Sequence, residues 1–259
     1  MSEIPLGRFV WYQLNATKLD AAIDFYTEII GWKTEKWNGG NGDPYTMFTR
    51  DQIPIGGAMA MPPDALKAGA PQHWLAYVST PDVDKSVLQA TDNGARVLVP
   101  ATDLPEVGRF SVIADPQGAT IAVYAPTPVP DDDQFEPQIG DVSWHELATT
   151  DYAAAMRFYQ TMFDWDKADA MDMGETGMYQ MFGRQDETLG GIYNKPEVIP
   201  APPHWLMYFR VKDVHDRVDP IKALGGEILN GPMKVPGDDF IVQCLDPQGG
   251  VFALHSTPV

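Results

Sequence analysis

Side chains that could carry acid–base chemistry are few, and most of them fall in two similar stretches of the chain. "DVSWHELATT" places Glu146 among apolar residues, where a carboxylate acts as a general base in a pocket or pairs with an arginine. His73 and His204 each open an "HW" pair at the start of a predicted strand, where an imidazole binds a ligand or satisfies a backbone carbonyl. His255 lies three residues before Pro258. We expect its side chain to be exposed.

Two tryptophans, Trp11 and Trp144, occupy the same place in the matching segments "RFVWYQL" and "DVSWHEL". Indole donates one hydrogen bond and has no basic lone pair for a cation. These positions therefore indicate either a surface for stacking an organic molecule or a place in the hydrophobic core. His145 follows directly and alternates to the opposite face of the strand, which predicts a buried, hydrogen-bonded histidine.

The remaining candidates are predicted to be structural. Cys244 lies in the strand-like sequence "FIVQCLD" and is expected to be a small core residue. The pairs Gly56-Gly57 and Gly190-Gly191 indicate strand bends or close backbone approaches. A phosphate cradle is not predicted there, because no helix with a capping Ser, Thr or Lys follows. The sequence shows no Ser-His-Asp arrangement.

An internal repeat positions these side chains. Phe25-Tyr26 matches Phe158-Tyr159, "HWLAYVSTPDV" matches "HWLMYFRVKDV", and "DPQGATIAVY" matches "DPQGGVFALH". The proline-rich, acidic stretch between the copies is typical of an extended, solvated linker. We therefore predict two domains, residues 6–126 and 140–257, joined by a linker over residues 127–139.

Each copy changes its hydrophobic period in a fixed order. "FVWYQL" has the composition of a strand, and "KLDAAIDFYTEII" then carries apolar residues at helical spacing. Short strands follow around "KTEKW", "YTMFTR" and "IGGAMAM". The order then repeats, with "HWLAYV", a helix that ends at Gly94, and strands at "ARVLVP", "RFSVIAD" and "TIAVYAP". The pattern predicts four βαβββ units, two in each domain.

Composition narrows the class of protein. The chain has 259 residues, of which 44% are hydrophobic, so it can build a substantial core. Its formal charge of −18 opposes binding to nucleic acid or to an anionic membrane. Cys244 has no second cysteine to pair with, and "MSEIPLGRF" lacks the pattern of a signal peptide, so we expect a cytoplasmic protein.

The strand followed by "D-x-x-A-x-x-F-Y" and "G-W", with a second unit that closes in "D-P-Q-G", resembles the vicinal oxygen chelate superfamily. This superfamily includes glyoxalase I, bleomycin-resistance proteins and extradiol dioxygenases. The tandem layout is similar to a hydroxylase-like or glyoxalase-like branch that includes a mycobacterial antigen. The resemblance implies an α+β fold of two tandem glyoxalase-like domains, each with a cup-shaped mixed sheet.

Metal-using members of the family hold a divalent ion with His, Gln or Glu on the first strand of each unit and Glu on the last strand. When these ligand positions are mapped onto this chain, they fall on six residues that cannot coordinate a metal. These are Trp11, Leu75 and Ala122 in the first copy, and Trp144, Leu206 and Ala253 in the second. The resemblance therefore predicts no metal site and no cofactor.

Residues two positions away share the same strand face. In the first copy this places Gln13, His73 and Tyr124 towards the implied cup, and in the second it places Glu146, His204 and His255 there. The second copy is therefore the better candidate for acid–base work.

Three interpretations remain open. The favoured one is a metal-independent protein that binds a small, partly aromatic or apolar organic molecule. If it is an enzyme, we expect a glyoxalase-like lyase or isomerase, or a hydroxylase-like oxidoreductase, with Glu146 as general base. The second is a metal-dependent lyase or dioxygenase whose ion is held by His73, His204, His255 or Glu146. The third is a structural or interaction protein with closed cups. A small organic ligand is the expected partner, and a homodimer is left open.

Overall fold

The computed structural model describes residues 4–37, 45–67, 69–128, 136–174, 177–197 and 201–258. Repeat 1 contains β1 (Phe9–Ala16), α1 (Leu19–Ile30), β2 (Lys33–Trp37), β3 (Tyr45–Arg50), β4 (Ile53–Ala60), α2 (Pro63–Lys67), β5 (His73–Ser79), α3 (Val83–Asp92), β6 (Arg96–Leu104), β7 (Gly108–Ala114) and β8 (Thr120–Pro126). Repeat 2 contains β9 (Val142–Thr149), α4 (Tyr152–Phe163), β10 (Asp166–Asp172), β11 (Met178–Arg184), β12 (Glu187–Asn194), β13 (His204–Arg210), α5 (His215–Ala223), β14 (Glu227–Lys234), β15 (Phe240–Leu245) and β16 (Val251–Ser256). The predicted order of four βαβββ units is confirmed, and the short helix α2 is an addition that the sequence pattern did not indicate.

Helix α4 begins, and helix α1 ends, at a residue whose type suits a helix cap. The Asp151 carboxylate accepts a hydrogen bond from the Ala154 backbone N–H at 2.9 Å and so caps α4. Helix α1 ends at Gly31, which adopts the left-handed conformation with a φ of 92° that glycine tolerates. The buried face of α1 includes Ala22, Ile23, Phe25, Tyr26, Ile29 and Ile30. The helical spacing of apolar residues therefore marks the packed face correctly.

Each repeat forms an eight-stranded mixed sheet, with strand orders β2-β3-β4-β1-β5-β8-β7-β6 and β10-β11-β12-β9-β13-β16-β15-β14. The pairs β1–β4 and β5–β8 are parallel, as are β9–β12 and β13–β16. Neighbours such as β3–β4 and β7–β8 are antiparallel. The predicted α+β class is confirmed.

The chain divides into two compact units that do not follow the repeats. Unit 1 contains Met1–Trp11, Leu75–Phe135 and His145–Trp205, and unit 2 contains Tyr12–Trp74, Glu136–Trp144 and Leu206–Val259. Each unit therefore combines parts of both repeats. The division into domains at 6–126 and 140–257 stays a prediction, and most of the predicted linker, residues 129–135, lies outside the described residues.

The repeated sequence motifs hold unit 1 together. Tyr159 of the second "F-Y" motif donates a hydrogen bond of 2.9 Å to the carboxylate of Asp115, which opens the first "D-P-Q-G". The indole N–H of Trp205 donates to the Tyr159 hydroxyl at 3.1 Å, and that of Trp165 donates to the Gly7 carbonyl at 2.7 Å. Burial raises the pKa values of both Tyr159 and Asp115.

Unit 2 repeats this arrangement with the other pair of motifs. Tyr26 donates a hydrogen bond of 2.7 Å to Asp246, and Trp32 donates one of 2.8 Å to the Gly140 carbonyl. The Gln72 amide also donates to Asp246. In both units a tyrosine from one repeat meets an aspartate from the other, which explains why the two motifs recur together.

No helix within the described residues is long and apolar enough to cross a membrane.

Candidate functional site

In unit 2, Trp144 packs on an apolar cluster built from three strands. The cluster consists of the buried residues Leu206, Tyr208 and Ala253, with Trp144, Ile241 and Val251 packed against it. Tyr208 and Ala253 are register partners on β13 and β16, which brings the two strands' side chains onto one face. We call this set the Trp144 cluster. Three of its members, Trp144, Leu206 and Ala253, occupy the positions at which the resemblance places the ligands of metal-using members of the family.

Polar side chains lie beside the Trp144 cluster. The Gln243 amide donates a hydrogen bond of 2.7 Å to the Tyr208 hydroxyl. The His255 ring lies between Ser143 and Asp239, with Nδ1 2.8 Å from the Ser143 hydroxyl and Nε2 3.1 Å from the Asp239 carboxylate. The side chain of His255 is only 16% exposed. The expectation that His255 is exposed is therefore wrong, because Asp239 on the β14–β15 connection covers the ring.

Unit 1 contains the equivalent Trp11 cluster. Its buried members are Leu75, Tyr77, Val112 and Ala122, with Val10, Trp11, Phe110 and Tyr124 packed against them. Tyr124 meets Tyr77 edge to face at 5.8 Å and donates a hydrogen bond of 2.7 Å to the Val107 carbonyl. Burial raises the pKa of Tyr124 to about 12. The structure thus brings Trp11, Leu75, Ala122 and Tyr124 together as the sequence predicted.

Neither cluster fits a metal ion. The three transferred ligand positions do converge in each unit, but they hold indole, isobutyl and methyl groups that offer no lone pair to a cation. The described ranges also contain no group of three or more His, Cys, Asp or Glu side chains arranged to hold an ion.

In unit 2, Gln13 and His73 are joined through a residue that the sequence analysis missed. The Gln13 amide donates to the Asn15 side-chain oxygen at 2.9 Å, and the Asn15 amide lies 3.2 Å from His73 Nε2. His73 Nδ1 is 2.8 Å from the Pro71 carbonyl oxygen, so Nδ1 carries the proton and Nε2 accepts from Asn15. Burial lowers the pKa of His73. Gln13, Asn15 and His73 therefore form a polar group whose members hydrogen-bond to one another.

In unit 1, Glu146 has a different environment. Its side chain is buried and accepts a hydrogen bond of 3.1 Å from the Tyr179 hydroxyl. The ring of Tyr179 stacks with Tyr193 at 6.0 Å and 22°. Burial, followed by the negative charge of Glu146, raises the pKa of Tyr193. Glu146 therefore lies in an aromatic, partly desolvated setting that suits a general base.

The glycine pairs make this setting possible. Gly191 is the register partner of Glu146, and a Cβ on Gly191 would overlap the Tyr179 ring. A Cβ on Gly190 would overlap the His145 carbonyl oxygen. In unit 2 the same relationship holds for Gly57 with Tyr45 and for Gly56 with Tyr12. The prediction of close approaches at these glycines is confirmed.

His204, at the start of β13, is held like His73. Its Nδ1 lies 2.9 Å from the Pro202 carbonyl oxygen, and burial is the main cause of its lowered pKa. The ring is therefore neutral, with Nε2 as an acceptor. The described part of unit 1 supplies no hydrogen-bond partner for this Nε2. His204 stays a ligand-binding candidate.

Two other predictions concern the core. His145 is buried, with Nδ1 2.9 Å from the Leu189 carbonyl oxygen, and its ring stacks on Phe9 at 3.6 Å and 5°. The predicted role of His145 as a buried, hydrogen-bonded residue is confirmed. Cys244 is fully buried in β15, and burial raises its pKa to about 12. Its thiol is a core group, as predicted.

Sequence reasoning missed Asn15, Tyr179 and Tyr193. The repeated "G-G" pairs and the matching tyrosines Tyr45 and Tyr179 were a usable signal, since a tyrosine over a glycine recurs in both repeats. Two surface clefts of unit 1, of about 340 and 400 Å³, lie around Arg109 and Arg157 and contain none of the candidate residues.

Comparison with known proteins agrees with this architecture. The family model "Glyoxalase/Bleomycin resistance protein/Dioxygenase superfamily" matches residues 8–123 and again residues 139–254. "Putative glyoxylase CFP32" from Mycobacterium tuberculosis is 29% identical over 254 residues, which cover 98% of this chain and 96% of that protein. "Anthracycline biosynthesis protein DauV" from Streptomyces sp. (strain C5) is 28% identical over 264 residues, with 98% and 94% covered.

Solved structures show the same fold at low identity. The homoprotocatechuate 2,3-dioxygenase of Brevibacterium fuscum superimposes with a TM-score of 0.68 at 15% identity and covers 99% of this chain and 82% of the other. The Mn(II)-bound glyoxalase from Novosphingobium aromaticivorans has a TM-score of 0.61 at 16% identity and covers 99% and 83%.

Proposed function

This chain belongs to the glyoxalase/bleomycin resistance protein/dioxygenase superfamily, and on that premise we propose that it binds a small, partly aromatic or apolar organic molecule without a metal ion. The observation that carries this proposal is the Trp144 cluster. At the positions that hold the ion in metal-using members of the family, Trp144, Leu206 and Ala253 pack together as apolar groups.

The chemistry of the two clusters favours an organic ligand over an ion. Trp144 and Trp11 are each only partly buried and pack against the apolar residues of their clusters. An indole face binds flat apolar or aromatic molecules by stacking, and a few polar groups beside it fix their orientation. In unit 2 the Gln243 amide and the Tyr208 hydroxyl supply such groups.

The enzymatic version of the proposal assigns proton transfer to Glu146. Its buried carboxylate accepts from the Tyr179 hydroxyl, and the counterpart in repeat 1 is Gln13, an amide that cannot act as a base. The names of two relatives, a glyoxylase and an anthracycline biosynthesis protein, agree with a small-molecule substrate. We therefore propose that any turnover takes place in repeat 2.

Elemental analysis tests the metal-independent part. Purified, tag-free protein is measured before and after incubation with Zn, Ni, Mn and Fe salts followed by desalting. We expect less than about a tenth of an equivalent of any metal, since no described cluster supplies three ligands. Retention of about one equivalent per repeat would contradict the proposal and would favour a metal-dependent lyase or dioxygenase with a relocated site.

A further inference from the structure

In unit 1 a small residue, Ala148, separates two side chains that carry polar atoms. Ala148 on β9 is the register partner of Tyr193 on the neighbouring strand β12. On the other side of β9 lies β13, which begins at His204. Partners in register place their side chains on the same face of the sheet. Ala148 and Tyr193 therefore share a face.

Repeat 1 shows where His204 lies relative to Ala148. There the Asn15 amide contacts His73 Nε2 at 3.2 Å, so residue 15 and the histidine are side by side. Ala148 occupies the place of Asn15 in repeat 2, and His204 occupies the place of His73. Both histidines also share the contact between Nδ1 and a proline carbonyl oxygen, which fixes their rings alike. His204 therefore lies beside the methyl group of Ala148.

The exchange of Asn15 for Ala148 changes what the histidine can bind. In repeat 1 the asparagine amide occupies His73 Nε2. In repeat 2 a methyl group cannot do so, and neither His204 Nε2 nor the Tyr193 hydroxyl has a hydrogen-bond partner among the described residues. The counterpart of Tyr193 in repeat 1 is Met59, the register partner of Asn15, which has no hydroxyl. Only repeat 2 presents this pair.

The spacing leaves room for one polar group of a ligand. Tyr193 and His204 lie on strands either side of β9, so their backbones are separated by about two strand spacings, or about 9–10 Å. A methyl group at Ala148 fills less of this gap than the Asn15 side chain fills at the corresponding place in repeat 1. Neutral His204 accepts a hydrogen bond at Nε2, whereas the Tyr193 hydroxyl can donate one. A group that both donates and accepts matches the pair, and a hydroxyl is the simplest.

We propose that Tyr193, Ala148 and His204 form a binding site for the hydroxyl group of a neutral organic ligand. The ligand O–H donates to His204 Nε2, and its oxygen accepts from the Tyr193 hydroxyl. The stacked rings of Tyr179 and Tyr193 provide an apolar wall for the carbon skeleton. The negative charge of Glu146 acts on Tyr193 and the positive charge of Lys195 acts on His204, so the surroundings carry charges of both signs and suit a neutral ligand. This inference rests on the proposed function and names the class of ligand.

Phenol and its methyl ether, anisole, are the probes, because they differ in the donor hydrogen. Protein labelled with ¹⁵N in its histidine rings is titrated with each probe, and the His204 signal is identified by its absence in His204→Gln. We expect phenol to move the His204 Nε2 signal and anisole to leave it in place. An equal effect of both probes would overturn the proposal.

Ala148→Asn tests the same site by introducing the asparagine that repeat 1 has at the corresponding position. The new amide is expected to bond His204 as Asn15 bonds His73 and to lower phenol affinity about tenfold, measured by calorimetry. Tyr193→Phe, which keeps the ring, is a second variant that should lower affinity similarly if Ala148→Asn does not fold. His215→Gln, at an exposed histidine on α5, is the control and should leave affinity unchanged. Unchanged affinity in Tyr193→Phe would overturn the site.

The two proposals fail differently. If phenol binds and its affinity depends on Trp144 but not on Tyr193 or His204, the hydroxyl site is wrong while the proposed function stands. If neither phenol nor anisole binds, both proposals are wrong.

Discussion

The hydroxyl of Tyr26 donates a 2.7 Å hydrogen bond to the carboxylate of Asp246, which lies in the other repeat. Both side chains are buried, and the same bond recurs between Tyr159 and Asp115. Asp246 also accepts from the backbone N–H groups of Gln248 and Gly250, so it closes its own turn while it holds a helix from elsewhere in the chain. The bond is therefore a long-range connection within unit 2.

Tyr26→Phe should destabilise the protein. The change removes a buried donor and leaves Asp246 with one partner fewer, which costs about 1–3 kcal/mol of the free energy of unfolding. Urea denaturation followed by circular dichroism measures the loss. Tyr152→Phe, at the less buried start of α4, is the control and should lie within about 0.5 kcal/mol of the parent. Equal stability of the two variants would contradict the proposed role of the bond.

Trp144→Ala should weaken ligand binding more than it lowers stability. Trp144 packs at the edge of its cluster and is only partly buried, so its removal leaves little enclosed space. Trp165→Ala is the control, because Trp165 is fully buried and its loss should cost about 3–5 kcal/mol. Calorimetric titration with an aromatic probe and thermal unfolding give the two quantities. The reverse ranking for Trp144 would support a purely structural tryptophan.

Glu146→Gln should abolish turnover if the protein is an enzyme. Gln keeps the shape of the side chain and can still accept from Tyr179, but it cannot take a proton, so the expected loss is at least about a hundredfold in kcat. The melting temperature shows that the variant is folded. Gln13→Glu places a carboxylate at the same position of repeat 1 and should not change turnover. Full activity of Glu146→Gln would exclude Glu146 as the base.

The sequence was sufficient to predict the elements and the place of the candidate residues along them. Alternation along a strand predicted that Trp144 and His145 lie on opposite faces. The structure confirms this, because Trp144 packs against an apolar cluster and His145 is buried with its ring stacked on Phe9. The family resemblance also predicted that Trp144, Leu206 and Ala253 lie close together. Local periodicity and motif position determine these features, so they can be predicted from the sequence alone.

The partners across strands could not be predicted. Tyr193 meets Ala148, and Tyr179 reaches Glu146, because of the register between β9, β11 and β12, which no local pattern specifies. The exchange of motifs between repeats is equally non-local, since nothing near Tyr26 indicates that its partner is Asp246. The cover over His255 comes from Asp239 on a loop, where sequence patterns carry little information.

His145 should make the protein less stable as the pH falls from about 6.5 to about 4. Burial lowers the pKa of His145 to about 4 in the folded protein, whereas an unfolded chain has the ordinary value near 6.5. The unfolded state therefore binds the proton first, and the stability that is present above pH 6.5 is lost progressively until about pH 4, by up to about 3 kcal/mol.

His145→Phe removes this titration and keeps a ring that can stack on Phe9. Urea denaturation of both proteins across this range should show a shallower pH dependence in the variant. Parallel curves for the parent and His145→Phe would contradict the assignment of this acid sensitivity to His145.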